Sequence, residues 1–263
     1  MTGEVVAGVS RSPGSVRAVR WAADLAASRN LPLCLLHAGD GDDSAVAEAV
    51  RSTTGTAVQV ECCRGPAVNV LLARSATAGL LVLGASARAR AADRHLNSPA
   101  LVVGARSACP VVVVRGRDTP SGPVVAGVDG TGAGERAIGV AFREAAHREV
   151  PLVALHVRSG AEYRSAPAER KRVEWERAAG DEHRVIAERL AGWQERYPDV
   201  VLHRIVRRDR PRHHLIELSN RSQLVVIGSR GRGGLRGLVL GSTGRALAQR
   251  AGCPVMIVPP AAY

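Results

Sequence analysis

Val5-Val6-Ala7-Gly8-Val9-Ser10 returns as Val124-Val125-Ala126-Gly127-Val128-Asp129, displaced by 119 residues. Self-similarity at a fixed displacement marks a duplicated folding unit. Leu31-Pro32-Leu33 and Leu36-His37 recur at the same displacement as Val150-Pro151-Leu152 and Leu155-His156. Farther along the displacement grows to 144, where Leu81-Val82-Leu83-Gly84 matches Val225-Val226-Ile227-Gly228 and Cys109-Pro110-Val111 matches Cys253-Pro254-Val255. The second repeat has therefore gained 25 residues in its middle. Residues 168–197 accommodate them: the stretch is rich in Glu, Arg, Ala and Leu, has no internal proline, and is stopped by Pro198. That composition predicts a long helix, which Gly180 could divide. The first repeat has only a short equivalent around Ser44 to Arg51.

Within each repeat, short apolar runs alternate with helical stripes. Val5–Val9 is followed by Ala18, Ala22, Leu25 and Ala26, the spacing of a helix face laid on a sheet. Ser12-Pro13 suits that helix start as N-cap and first helical residue. Further strands are expected at Leu33–His37, Val58–Cys62, Leu80–Leu83 and Val111–Val114, then at Leu152–Val157, Val201–Val206, Leu224–Ile227 and Val255–Val258. Strand–helix alternation of this kind implies right-handed crossovers and a parallel, doubly wound α/β sheet. The fold expected is two Rossmann-like five-stranded parallel sheets in tandem. Gly116 to Pro123, with two prolines and two glycines, is the linker, so the domains fall at 1–117 and 123–263. Hydrophobic residues make up 46% and aromatic residues only 3%, which suits Val, Leu and Ala cores and argues against an all-β sandwich.

The formal charge of +12 invites a nucleic-acid reading. Its distribution argues otherwise, since arginines are scattered from Arg11 to Arg250 and stacking aromatics are nearly absent. No apolar run approaches the ~18–20 residues that span a bilayer, and the start carries no signal pattern, so a cytoplasmic protein is expected. The cysteines, Cys34, Cys62, Cys63, Cys109 and Cys253, show no metal-ligand spacing. They read as reduced and mostly buried, with redox sensing at Cys62-Cys63 the minor alternative.

Ligands of open parallel sheets sit beyond the carboxyl ends of the strands. After the strand Leu224–Ile227 comes Gly228-Ser229-Arg230-Gly231-Arg232-Gly233-Gly234, then Leu240-Gly241-Ser242-Thr243 at the start of a helix. Gly228 and Gly231 let backbone approach a ligand, and Gly241-Ser242-Thr243 puts free N–H groups at a helix N-terminus, where the dipole favours an anion. Arg230 and Arg232 add charge. The pattern reads as a phosphate cradle. It is not a P-loop, because it contains no lysine, and not a dinucleotide fingerprint, because the glycines follow the fourth strand of the repeat rather than the first.

Gly228-x2-Gly231-x9-Gly241-Ser242-Thr243, with Asp129 ending the first strand of its repeat and Cys253-Pro254-Val255 opening the last, resembles the ATP-binding universal stress proteins in tandem form. The resemblance implies ATP as ligand, held by Gly127, Asp129, Val157, Gly228, Gly231, Arg232, Gly241, Ser242 and Thr243. Asp129 would meet the adenosine end and the backbone of Val157 the adenine. For Asp129 a helix-capping carboxylate is the competing reading, and it is also the only acidic strand-end candidate for Mg²⁺. The first repeat departs from the pattern, with Ser10 for Asp129, Ala87 for Gly231, Asn97 for Gly241 and Pro99 for Thr243. Proline has no N–H, so one anion donor is lost outright and this repeat is expected not to bind ATP.

No catalytic constellation and no metal cluster can be assembled from strand-end residues. His37 and His156 occupy equivalent positions and read as structural, and His213-His214 as surface residues. The expectation is a nucleotide-dependent regulatory protein, in which ATP acts on the loop Ser229–Leu240 and alters a surface offered to a protein partner. A slow ATPase or phosphotransferase at the same site is the alternative. As family members pair through their last strand, Val111–Val114 and Val255–Val258 are expected to meet as an internal pseudo-dimer. Association of two whole chains stays open.

Overall fold

The computed structural model describes residues 3–39, 43–53, 57–85, 98–117, 121–158, 168–230 and 240–260. The first repeat contributes β1 (Val5–Val9), α1 (Pro13–Ser28), β2 (Leu33–Ala38), α2 (Asp43–Arg51), β3 (Val58–Cys63), α3 (Ala67–Arg74), β4 (Leu80–Gly84), α4 (Pro99–Arg106) and β5 (Val111–Val114). The second contributes β6 (Val124–Val128), α5 (Gly132–Arg148), β7 (Leu152–Arg158), α6 (Ala168–Arg196), β8 (Leu202–Arg208), α7 (Pro211–Ser219), β9 (Leu224–Gly228), α8 (Ser242–Arg250) and β10 (Val255–Val258). α6 is the inserted helix and runs through Gly180 without a break.

The strands form one ten-stranded sheet in the order β3-β2-β1-β4-β5-β10-β9-β6-β7-β8. Each half is parallel throughout, and the halves join where β5 and β10 run antiparallel, Val112 facing Met256. The expected meeting of the last strands is thus the seam of the molecule. Both faces are covered, which is why the central strands are continuous apolar runs rather than alternating ones. α1, α2, α5 and α6 pack on one face around Ala18, Ala22, Ile138, Phe142, Ile186 and Leu190. α3, α4, α7 and α8 cover the other around Leu71, Val103, Leu215 and Leu247.

Side-chain contacts also cross the seam. Glu144 of α5 is fully buried and accepts two hydrogen bonds of 2.8 Å from Arg29, at the end of α1, while Arg148 closes on the same carboxylate. Burial alone would raise this carboxyl's pKa, but the Arg29 and Arg148 guanidiniums outweigh it and hold the group below its ordinary value. Arg115, just past β5, reaches across to the Leu247 carbonyl in the last turn of α8, at 3.3 Å, where the helix dipole favours a cation. At the start of α1, Pro13 takes the first helical position as expected. Ser12 sits at the N-cap, but its hydroxyl makes no cap bond and lies 3.0 Å from the Ser10 hydroxyl.

Candidate functional site

The strand order reverses around β6, whose neighbours are β7 and β9. The β6–β7 ladder runs out to Val128 and His156, whereas the pairing of β6 with β9 ends at Ala126 and Val226. The strands part there, and the crevice between them opens at their carboxyl ends, where such sheets hold ligands.

On one rim stands Asp129. Its Oδ1 accepts from the Thr131 amide at 3.0 Å and the Thr131 hydroxyl at 2.7 Å, and Thr131 in turn caps α5 by accepting from the Gly134 amide. The carboxylate therefore buttresses the capping residue, one step removed from the direct capping weighed for it. Gly134 leaves room for this carboxylate, because a Cβ there would lie 2.3 Å from Asp129 Oδ1 and displace it. The Thr131 hydroxyl also lies 3.5 Å from the Arg230 carbonyl, so the two rims touch.

The other rim is Gly228, Ser229 and Arg230 after β9, with Gly241, Ser242 and Thr243 at the start of α8. Gly241 is the N-cap and supplies no side-chain cap, which leaves the first amides of α8 without a protein partner from that residue. The Gly241 amide points back to the Ser229 carbonyl at 3.4 Å. Ser229 is buried, and its hydroxyl has no hydrogen-bond partner among the described residues. A buried, unpartnered hydroxyl beside an uncapped helix start is a donor set suited to phosphate. Gly231 and Arg232 lie outside the described residues.

Two of the glycines have packing reasons. A Cβ on Gly228 would come within 2.9–3.0 Å of Ala133 and Gly134, and Gly84 in the first repeat is pressed in the same way by Gly14 and Ser15. Gly127 faces Ile227 and Leu215, as Gly8 faces Leu83 and Leu71. Both glycines occur in both repeats, so they maintain the fold of each. Asp129, Gly241 and Thr243 are what the second repeat adds, whereas Ser242 has Ser98 as its counterpart.

α6 braces this site from outside. Glu182 accepts from Arg158 at 3.0 Å and sets Oε2 3.0 Å from His156 Nε2, so it holds both neighbours of Val157. Arg189 pairs with Glu135 and lies over Gly130, whose φ of +74° makes the turn after Asp129. His156 is buried, with Nδ1 2.8 Å from the Val128 carbonyl, and His37 repeats the contact to Val9 at 3.2 Å; both are structural as expected. The α6 clasp was not foreseen, because ion pairs across 24 and 54 residues leave no local spacing to read.

In the first repeat the equivalent crevice is partly filled. Ser15 replaces Gly134, and its hydroxyl accepts from the Ser10 amide at 2.9 Å while donating to the Gly8 carbonyl at 3.3 Å. Pro99 opens α4. Ala87 and Asn97 lie outside the described residues.

Among the described residues no group of three His, Cys, Asp or Glu is placed to hold a metal, and no helix is long and apolar enough to cross a membrane. Burial pushes the Cys34 thiol up to about 11 and the Cys253 thiol up to about 12, which removes both as nucleophiles. Cys62 is exposed and Cys63 half-buried; as neighbours on β3 they point to opposite faces of the sheet.

Fold and site together define a doubly wound α/β protein with a strand-end crevice in its second repeat. The model of the universal stress protein family matches residues 1–63 and 121–259, and the chain belongs to that family. A universal stress protein of Mycobacterium tuberculosis is 36% identical over 286 aligned positions, covering 96% of this chain and 95% of the relative. One from Mycolicibacterium smegmatis is 36% identical, covering 97% of each. A crystal structure of a universal stress protein from Archaeoglobus fulgidus shares the fold, with a TM-score of 0.68 at 16% identity and coverage of 98% and 97%.

Proposed function

We propose that this universal stress protein is an ATP-binding regulatory protein of the cytoplasm with one nucleotide site, in the second repeat. The carrying observation is the buried Ser229 hydroxyl, without a partner among the described residues, next to the start of α8, whose N-cap Gly241 supplies no side-chain cap. In this reading Gly228, Gly231, Arg232, Gly241, Ser242 and Thr243 take the phosphates and ribose. Asp129 and the Val157 backbone take the adenosine end, and Asp129 is the acidic group available if Mg²⁺ accompanies the nucleotide. The bound nucleotide alters the rim offered to a protein partner, and no acid, base or nucleophile for hydrolysis is assigned.

The test is to denature the purified protein and identify released nucleotide, in wild type and in Gly241→Val. About one equivalent of ATP per chain is expected from wild type and none from the variant. No adenine nucleotide, either retained or bound on addition, overturns the reading; two equivalents overturn the asymmetry. Phosphate release followed over hours separates a binder from a slow ATPase.

A further inference from the structure

We propose a second ligand site, for a small zwitterionic or hydroxylated anion, in the cleft between α1 and the end of α2. The two repeats differ most sharply here. In the second, α6 lays Trp193 across Gly139 so closely that a Cβ there would sit 2.3 Å from the ring, and Phe142, Trp193 and Tyr197 stack with centroids 6.0–6.5 Å apart. Counting by the two displacements, Phe142 corresponds to Ala23, Trp193 to Ala49 and Tyr197 to Thr53. Three rings are thus replaced by two methyl groups and one small hydroxyl side chain, all three buried. Beside Ala23, α1 and the end of α2 leave a cleft of about 280 Å³ lined by Arg20, Ala23, Asp24, Arg51 and Ser52.

Its lining is polar where its counterpart is aromatic. Arg20 stands where the second repeat has Gly139, and Arg51 where it has Glu195. Neither guanidinium has an ion pair or hydrogen bond with another described residue, and neither does Asp24. Arg20 and Asp24 lie one turn apart on α1, so their side chains share a face. Two cations and one anion around a compact cleft recognise a phosphate or carboxylate through the arginines and an ammonium or hydroxyl through Asp24. At this volume, near the lower end of small-molecule pockets, the ligand is smaller than a nucleotide.

The test titrates the full chain calorimetrically with O-phosphoserine, L-malate and inorganic phosphate, with circular dichroism confirming that each variant is folded. O-phosphoserine or L-malate is expected to bind more tightly than inorganic phosphate, and Arg20→Gln with Arg51→Gln to weaken binding at least tenfold. Asp24→Asn is expected to weaken O-phosphoserine and to tighten inorganic phosphate. With ATP in excess to fill the cradle of the second repeat, all three affinities are expected to stay unchanged. No heat with any probe, equal affinity in the double arginine variant, an Asp24→Asn effect of the same sign on both phosphates, or loss of binding with ATP present each overturns the proposal.

Discussion

Thr243 and Pro99 hold the same place in the two repeats, and the donors that proline lacks there are one backbone N–H and one hydroxyl. Proline is tolerated in the first turn of a helix, so Thr243→Pro is expected to change stability little while weakening ATP at least tenfold, the scale of about one charge-assisted hydrogen bond. Equilibrium titration measures this, and an unchanged affinity would remove the α8 start from the site. The reverse change, Pro99→Thr, is expected to confer no binding, because Ser15 still bridges the Ser10 amide and the Gly8 carbonyl. A second residue-scale prediction concerns Glu144. Leaving Arg29 and Arg148 without their shared carboxylate is expected to cost about 3–5 kcal/mol in Glu144→Ala. Because the folded group lies below its ordinary value, its contribution is fully present above the unfolded value of about 4.3 and is lost as pH falls through the folded value. Urea unfolding of wild type and Glu144→Gln should therefore differ most near neutral pH and converge in acid. A gap that widens in acid would refute the linkage.

At the scale of elements, α6 is where sequence reading reached furthest and then stopped. Its length followed from composition and Pro198, and the strands were legible because buried parallel strands are unbroken apolar runs. The partners of α6 were not legible. That Trp193 needs Gly139, or that Glu182 needs His156 and Arg158, depends on two helices and a strand meeting in space. The same limit applies to Gly228, which reads as a ligand-facing glycine until the approach of Ala133 and Gly134 is seen. It applies also to Ser12, whose hydroxyl turns to Ser10 instead of to the α1 amides. The docking of α6 gives a testable cycle. Gly139→Ala should destabilise by about 1–3 kcal/mol, since displacing the rigid Trp193 ring outweighs a gain in helix propensity of at most about 1 kcal/mol. Trp193→Ala should cost somewhat less than the about 3–5 kcal/mol of a fully buried ring, as Trp193 is half-buried. In that background Gly139→Ala should turn stabilising, by up to about 1 kcal/mol. Additive effects in the unfolding free energies would show that the ring does not dictate the glycine.

For the whole molecule the decisive feature is the seam, which uses β5 and β10 as an isologous pair within one chain. Pairing those strands removes two edges, and the remaining edge strands β3 and β8 carry Glu61, Arg204 and Arg207, charges that discourage further sheet extension. Duplication on a single chain also lets the halves differ at the seam. Arg29 and Arg148 are equivalent residues, yet both serve the one carboxylate of Glu144, whose counterpart is the buried Leu25. Two identical chains could not specify a single carboxylate between matched arginines without placing a second one opposite. The ladder, the Arg29–Glu144 pair and the Arg115–Leu247 contact couple the halves, so the chain is expected to unfold in one transition rather than two. Met256→Lys tests this, because it sets a charge at a position with no exposed surface, opposite Val112. Hydrogen exchange should show lost protection in β4 and β5 of the first repeat as well as in β9 and β10. Loss confined to β9 and β10 would mean that the seam joins two independently stable halves.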